Sequence, residues 1–338
     1  MTDTLSQLSL LLIIGAIAIY AAAFVTFALD LARRRSPSVT VISAVARHAE
    51  AETPTSTTRL ANAIGNTGVL VRQSTTSADA HEERPQTSGV LRAAFVLTLV
   101  GFGLHLGADV LRGIAAGRVP WANMWEFSMT GTLIIVGVFL LVTLKYDLRF
   151  LGTFVIGLVL LLLGIASARY YVPVAPLPPA LQSYWLVIHV IVAIIATGFF
   201  ALGFALSGVQ LLKARRERQE TDARPPQFAF LRTLPKSAAL ENLAYRMNIV
   251  GFILWTFTLI AGAIWAEKAW GRYWGWDTKE VWTFIIWVLY AGYIHARATR
   301  GWRGSRSAWL ALIGFSAVMF NFGIVNVFFK GLHSYSGL

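Results

Sequence analysis

Apolar residues recur in runs of roughly twenty, separated by shorter stretches where the charges collect. The runs cover about 8–31, 90–111, 127–144, 150–167, 184–212, 248–266, 282–297 and 308–329. A helix of some twenty residues crosses about 30 Å of hydrocarbon, so the pattern predicts an all-α, polytopic membrane protein with about eight transmembrane helices. The short alternating segments of a transmembrane barrel are not the pattern here. The first run is too long for a signal-peptide core and has no basic region before it, so it reads as a retained span. The fifth exceeds what a crossing needs and is expected to tilt or extend beyond the membrane.

Composition sharpens this reading. The chain has 338 residues, 56% hydrophobic and 14% charged, against about 25% charged in soluble domains. The net charge of +12 would point to nucleic acid in a soluble chain. Here cationic loops explain it. With the N-terminus outside, Lys and Arg favour the cytoplasmic segments by about three to one, the bias that orients membrane proteins. The Trp265–Trp282 stretch, 112–126, 168–183 and the C-terminal tail then share the outer side. Three parts follow: a first span at 1–31, a linker at 32–89 and a membrane domain at 90–338. The linker is rich in Ala, Ser and Thr and poor in large apolar residues, so it is expected to be disordered and cytoplasmic. Its His48 and His81 read as solvated. The loop 213–247 opens with KARRER and ends in LENLAYRMNIVGF, read as an interfacial helix entering the sixth span. There is no cysteine, which excludes disulfides, thiolate metal sites and a thiol nucleophile.

One stretch does not fit simple membrane packing. WAEKAWGRYWGWDTKEVW, Trp265 to Trp282, holds five of the twelve tryptophans among six charges. If 266–276 were partly helical, Trp270, Tyr273, Trp274 and Asp277 would share one face. That face suits either a membrane surface or a flat conjugated ligand. An interfacial aromatic belt is the simpler account. D-T-K-E is also a capping box, with Asp277 capping the seventh span and Glu280 reaching back.

Four histidines lie in or next to spans, where ionisable groups are costly. At 1.5 Å per residue, His189 and His333 fall in one outer plane, with His105 at a similar depth. His295 lies near the inner end of its span. Neutral imidazole is the usual axial ligand of haem iron. The alternative for each histidine is a satisfied polar contact between helices, and it weighs most at His105. His295 has no histidine at its own depth, so a haem there would take its second ligand from another chain. A porphyrin site also needs flat walls and cations for two propionates. Arg112, Arg118, Arg169, Lys268, Arg272, Lys279 and Lys330 are on the right side, and Arg272 is the first choice.

WGRYWGWDTKEVW resembles the tryptophan-rich "WWD" signature of haem-handling membrane proteins. In detail it is similar to the CcsA (ResC, CcsB-named in some bacteria) family of system II cytochrome c biogenesis, with its W-G-x-Y-W-x-W-D-P-K-E-x-W run. YWLVIH ending at His189, YIHARA with His295, GLHSYS with His333, GRVPWANMWEF and LAYR are similar to other family elements. Thr278 replaces the usual Pro, and Trp125 and Phe127 replace Tyr and Ser. The resemblance covers about 90–338.

It implies haem transport to the outer membrane face and its attachment to apocytochrome c with a CxxCH motif. The chain would be a subunit of a holocytochrome c synthase, with haem b as cofactor. Expected partners are a CcsB/Ccs1/ResB-type membrane protein and a thiol-reducing protein, in the bacterial cytoplasmic (inner) membrane. The implied axial ligands are His189 and His333 at an outer site and His295 at an inner site shared with the partner, with His105 a further candidate. The implied haem-binding surface is Trp270, Arg272, Tyr273, Trp274, Trp276 and Asp277. Rival readings are a CcmC-like protein delivering haem to a chaperone, a bis-histidine electron carrier and a solute transporter. The tail histidine and K-E-x-W argue against the first. Unmatched histidine depths argue against the second, and continuous spans against the third.

Overall fold

The computed structural model describes residues 2–34, 88–222 and 229–333. They hold eight long helices: α1 (Thr2–Arg33), α2 (Gly89–Ala116), α3 (Met124–Lys145), α4 (Gly152–Arg169), α5 (Tyr184–Thr221), α6 (Ser237–Trp270), α7 (Thr278–Thr299) and α8 (Ser305–Phe320). No strand occurs among the described residues. Each predicted span has its helix. Seven spans are long and apolar enough to cross a membrane. α7 has the length, but its Trp, Tyr and charged residues make it less apolar, and it packs between α6 and α8. The chain is an all-α, multi-pass membrane protein.

Two antiparallel pairs organise the bundle. In α1 the buried positions are Ser9, Ile13, Ala16, Tyr20, Ala23, Phe27 and Asp30. In α2 they are Leu91, Ala94, Thr98, Gly101, His105, Ala108, Arg112 and Ala115. Steps of three and four alternate in both, the period of a knobs-into-holes seam. Small residues let the backbones approach, which matters where lipid offers no hydrophobic drive between helices. The Ser9 hydroxyl donates to the Ala108 carbonyl at 2.7 Å. At the other end the Ser88 hydroxyl donates to Asp30. The two ends of the predicted linker are therefore joined, while 35–87 and the linker's histidines lie outside the described residues.

α5 and α6 form the second pair. α5 runs to Thr221, well beyond a single crossing, as its long apolar run predicts. LAYR lies inside α6, which continues unbroken into its span. α3 sits between α4 and α5, and α8 packs between α5 and α7. At the Trp-rich end the connections are tied by one buried carboxylate. Glu126 accepts from Arg112 at 2.9 Å, from Arg118 at 2.7 Å and from the Ala122 amide at 3.1 Å. Arg112 also donates to the Val172 carbonyl at 2.7 Å, joining the next outer loop to this cluster. Breaking such a buried pair costs about 3–5 kcal/mol, because a charge is left uncompensated.

Candidate functional site

The stretch from Trp265 to Trp282 is helix, loop, helix. α6 ends at Trp270, with Gly271 at φ 69° in the left-handed conformation that glycine adopts without strain. Residues 271–277 are irregular, and Trp276 has φ 60°. The expected helical stripe through Trp270, Tyr273, Trp274 and Asp277 therefore does not exist. The Gly271 cap ends the helix, and Glu280 then gathers the loop. The Glu280 carboxylate accepts from the amides of Gly275 at 2.8 Å and Asp277 at 3.1 Å. Together with Asp277 it forms the complete capping box that D-T-K-E predicts.

Beneath the loop is an open-sided, mainly apolar cavity of about 170 Å³. His189, His333, Tyr273, Trp274, Lys279 and Glu280 are among its lining residues. Helices α3, α5, α6, α7 and the segment after α8 all contribute. His189 comes from the first turns of α5. Its Nδ1 lies 3.0 Å from the Thr258 carbonyl. A carbonyl only accepts, so Nδ1 carries the proton and Nε2 keeps its lone pair. The ring fits because Gly262 faces it: a Cβ there would lie 2.7 Å from the imidazole Cε1.

His333 reaches the cavity by another route. After α8 a π-turn spans Asn321–Val325, the kind of insertion that re-aims a helix end. Lys279 of α7 grips this turn, donating to the Asn321 carbonyl at 3.3 Å and to the Asn326 side chain. The tail then folds back over the start of α7, passing Gly331 against the Asp277 carboxylate. The His333 Nδ1 donates to Asp277 at 2.5 Å. This hydrogen bond holds the Asp277 carboxyl below the usual carboxylate range. Asp277 thus orients a histidine from behind.

Trp265 joins the two imidazoles. It is 2% exposed and donates its indole N–H to the Ala180 carbonyl at 3.0 Å. Its ring stacks near-parallel to His189 at 5.8 Å and meets His333 edge-on at 5.4 Å. Trp270 packs edge-on against both Trp265 and His333, each at 4.8 Å.

The other predicted residues sort by position. Tyr273 (64% exposed) and Trp274 stand at the mouth. Trp276, 76% exposed, lies outside the lining and meets Trp274 edge-on. Arg272 pairs with Glu280 at 3.7 Å, and its Nη1 is buried without a hydrogen-bond partner. Arg112 and Arg118 are spent on Glu126. His105 is not brought to the cavity. It occupies the α1–α2 seam, fully buried, with Nδ1 3.4 Å from the Tyr20 hydroxyl. His295 is exposed on α7, about 27 Å along the helix from Asp277. Trp265, Glu280, Gly262 and Thr258 complete the site without having been singled out for it, and Lys279, one of the candidate propionate cations, holds the π-turn instead. Glycine inside an apolar helix was the one signal for Gly262; a backbone carbonyl such as that of Thr258 has none.

The donor set fits haem. Two imidazoles, each with its Nδ1 engaged, line one apolar chamber that Tyr273 and Trp274 also line. Among the described residues no cluster of three or more His, Asp or Glu side chains suits a bare metal ion.

Comparison with known proteins agrees. Residues 121–333 match the family model of the cytochrome c assembly protein. The cytochrome c biogenesis protein CcsA of Guillardia theta is 36% identical over 258 residues, 72% of this chain and 84% of its own. CcsA of Prochlorococcus marinus is 36% identical over 251 residues, covering 67% and 78%. CcsA of Porphyra purpurea is 32% identical over 289 residues, covering 75% and 90%. Among solved structures, the cytochrome c haem lyase CcmF superposes with a TM-score of 0.61 at 15% identity, over 94% of this chain and 46% of that longer one. That likeness concerns the fold.

Proposed function

Because the chain belongs to the cytochrome c assembly protein family, and so handles haem in cytochrome c maturation, we propose that it carries haem b to the outer face of a bacterial cytoplasmic membrane and presents it there to apocytochrome c. One observation carries the reading. His189 and His333 line one apolar cavity, flank Trp265, and each has its Nδ1 already engaged.

The Thr258 carbonyl and the Asp277 carboxylate engage each Nδ1, which would leave Nε2 of each ring to bind iron. Trp274 and Tyr273 at the mouth, with Trp265 and Trp270 packed against the histidines, would fix the orientation of the plate. Arg272, whose Nη1 has no hydrogen-bond partner but pairs with Glu280 at 3.7 Å, would meet a propionate. Bound haem supplies vinyl groups, to which cysteine thiols of a CxxCH motif add to give thioethers. The chain contributes no nucleophile of its own. Holding thiol and vinyl in register is its contribution. The division 1–31, 32–89 and 90–338 belongs to this reading, as does an orientation with the Trp-rich loop outside.

His295 fits a shared inner site. It lies on an exposed stripe of α7 with Phe284, Val288 and Gly292, open to a CcsB/Ccs1/ResB-type partner. A thiol-reducing protein would keep the substrate cysteines ready.

The test is a haem spectrum of the purified chain, alone and with that partner. Wild type should show a six-coordinate, bis-histidine haem. Changing His189 and His333 together to Ala should abolish the outer-site signal. An unchanged spectrum in that variant would overturn the assignment. Haem bound normally in a strain whose cytochromes c mature without the chain would favour an electron carrier.

A further inference from the structure

At the bundle end opposite the Trp-rich loop, α4, α5 and α8 line a second, open-sided space of about 570 Å³. Its walls are apolar: Phe154 and Leu158 of α4, Phe204 and Leu212 of α5, Trp309 of α8. Along α5 it runs from Ala201 to Arg215, about 21 Å of helix. One leaflet of hydrocarbon is about 15 Å deep. The groove therefore spans a leaflet and ends at the level of headgroups.

Arg215 marks the change from apolar to charged. It lines the groove and also the adjoining surface pocket, which it shares with Arg218. Arg218 in turn lines a third pocket with Arg300, Arg303 and Arg306. Asp222 is the lone acid around these three spaces. The five arginines are exposed, and among the described residues none forms an ion pair. Arg218 touches the Ser305 hydroxyl at 3.5 Å, and Arg306 lies over the Trp302 ring. Five arginines around a single acid leave an excess of positive charge that an anion would offset.

We propose that this groove binds an anionic phospholipid, its acyl chains against Phe154, Leu158, Phe204 and Trp309 and its phosphate within the arginine ring. The guanidinium fork suits phosphate oxygens bidentately. Basic pockets between transmembrane helices bind multiply charged headgroups. Haem is also an apolar body with two anionic groups. No histidine, methionine or tyrosine lines any of the three spaces, so iron would have no side-chain ligand there. A flexible chain fills such a groove; a rigid plate that needs an axial ligand does not. The proposal stands independently of the haem reading of the outer cavity.

Native mass spectrometry of the detergent-solubilised full chain tests it, with tetraoleoyl cardiolipin, dioleoyl phosphatidylglycerol and dioleoyl phosphatidylcholine as probes. The anionic lipids should be retained about tenfold more than phosphatidylcholine. A variant combining Arg215→Gln, Arg218→Gln and Arg303→Gln should lose that preference. Gly208→Leu should lower retention without changing charge. A Cβ at Gly208 meets nothing within 4 Å, so the larger side chain enters the groove rather than a packed neighbour. Helical circular dichroism and size-exclusion elution establish that both variants are folded. Equal retention of phosphatidylcholine, or unchanged cardiolipin binding in either variant, overturns the proposal. So does full displacement of lipid by sodium pyrophosphate, which would identify a soluble phosphate ligand. Hemin that binds His189→Ala/His333→Ala protein and is lost on adding Gly208→Leu would also overturn it, in favour of a porphyrin route.

Discussion

The two ends of the bundle each hold an apolar chamber, about 170 Å³ at the Trp-rich end and about 570 Å³ at the other. Each has one cation among its lining residues, Lys279 in the first and Arg215 in the second. What differs is how polar groups are held. At the Trp-rich end nearly every one is fastened: His189 to Thr258, His333 to Asp277, Lys279 to the π-turn, the loop amides to Glu280. At the opposite end exposed arginines stand without acidic partners among the described residues. A metal-porphyrin needs ligands fixed in advance, because coordination tolerates little misplacement. A lipid headgroup needs only charge and reach. The occupants proposed for the two chambers differ accordingly, and the hydrogen bonds around each chamber distinguish them.

This contrast can be broken most severely at Gly262. Gly262→Val should drive His189 off the Thr258 carbonyl and lower haem occupancy by about a hundredfold, as expected when positioning around a metal ligand fails. Gly208→Leu in the other chamber should leave occupancy unchanged. Haem titration read by absorbance compares the two. Next is Asp277→Ala, which leaves His333 without its acceptor and should weaken haem binding by about tenfold. Asp277→Asn keeps an acceptor oxygen and should restore part of the loss, an outcome that a purely helix-capping role would not tie to the haem spectrum.

Glu280→Ala removes the acceptor of two loop amides and should cost about 1–3 kcal/mol. Thermal unfolding should report it, and trypsin should cut faster at Arg272, with occupancy falling only a fewfold. The smallest effect belongs to His105→Phe. Its Nε2 has no hydrogen-bond partner, and its seam position faces Tyr20. Haem binding should stay within about twofold while stability shifts by about 1 kcal/mol. A haem defect as large as that of Asp277→Ala would make His105 part of the site after all.

The histidines show how far sequence reasoning reaches. Depth along a helix follows from residue count, so His189 and His333 could be placed in one plane and His295 near the far end. Depth does not say which way a side chain points. His105 has the right depth but faces α1, as its place in the three–four seam requires. The tryptophan stretch shows the same limit. Its charge and aromatic content marked it as unusual, and D-T-K-E foretold the capping box. A helical stripe through it was nonetheless the wrong geometry, because Gly271 ends α6. Trp265 reads as one more interfacial indole until its packing against both imidazoles is seen. For Lys279 the π-turn supplies its partners, and no local pattern announced that turn.

Span number, helical class, orientation bias and the chemical nature of the Trp-rich loop are carried by the sequence itself. Hydrocarbon thickness and backbone hydrogen bonding act on each segment separately, whatever its neighbours do. The pairing of His189 with His333, the tautomer each presents, the bridging role of Trp265 and the unpartnered arginine ring were decided only by tertiary structure. Each depends on a contact between segments distant in the chain, such as α5 against Thr258 or the tail against Asp277. Which of two equally deep histidines meets a chamber is set by how helices rotate to pack their small residues, and only the assembled bundle fixes that rotation.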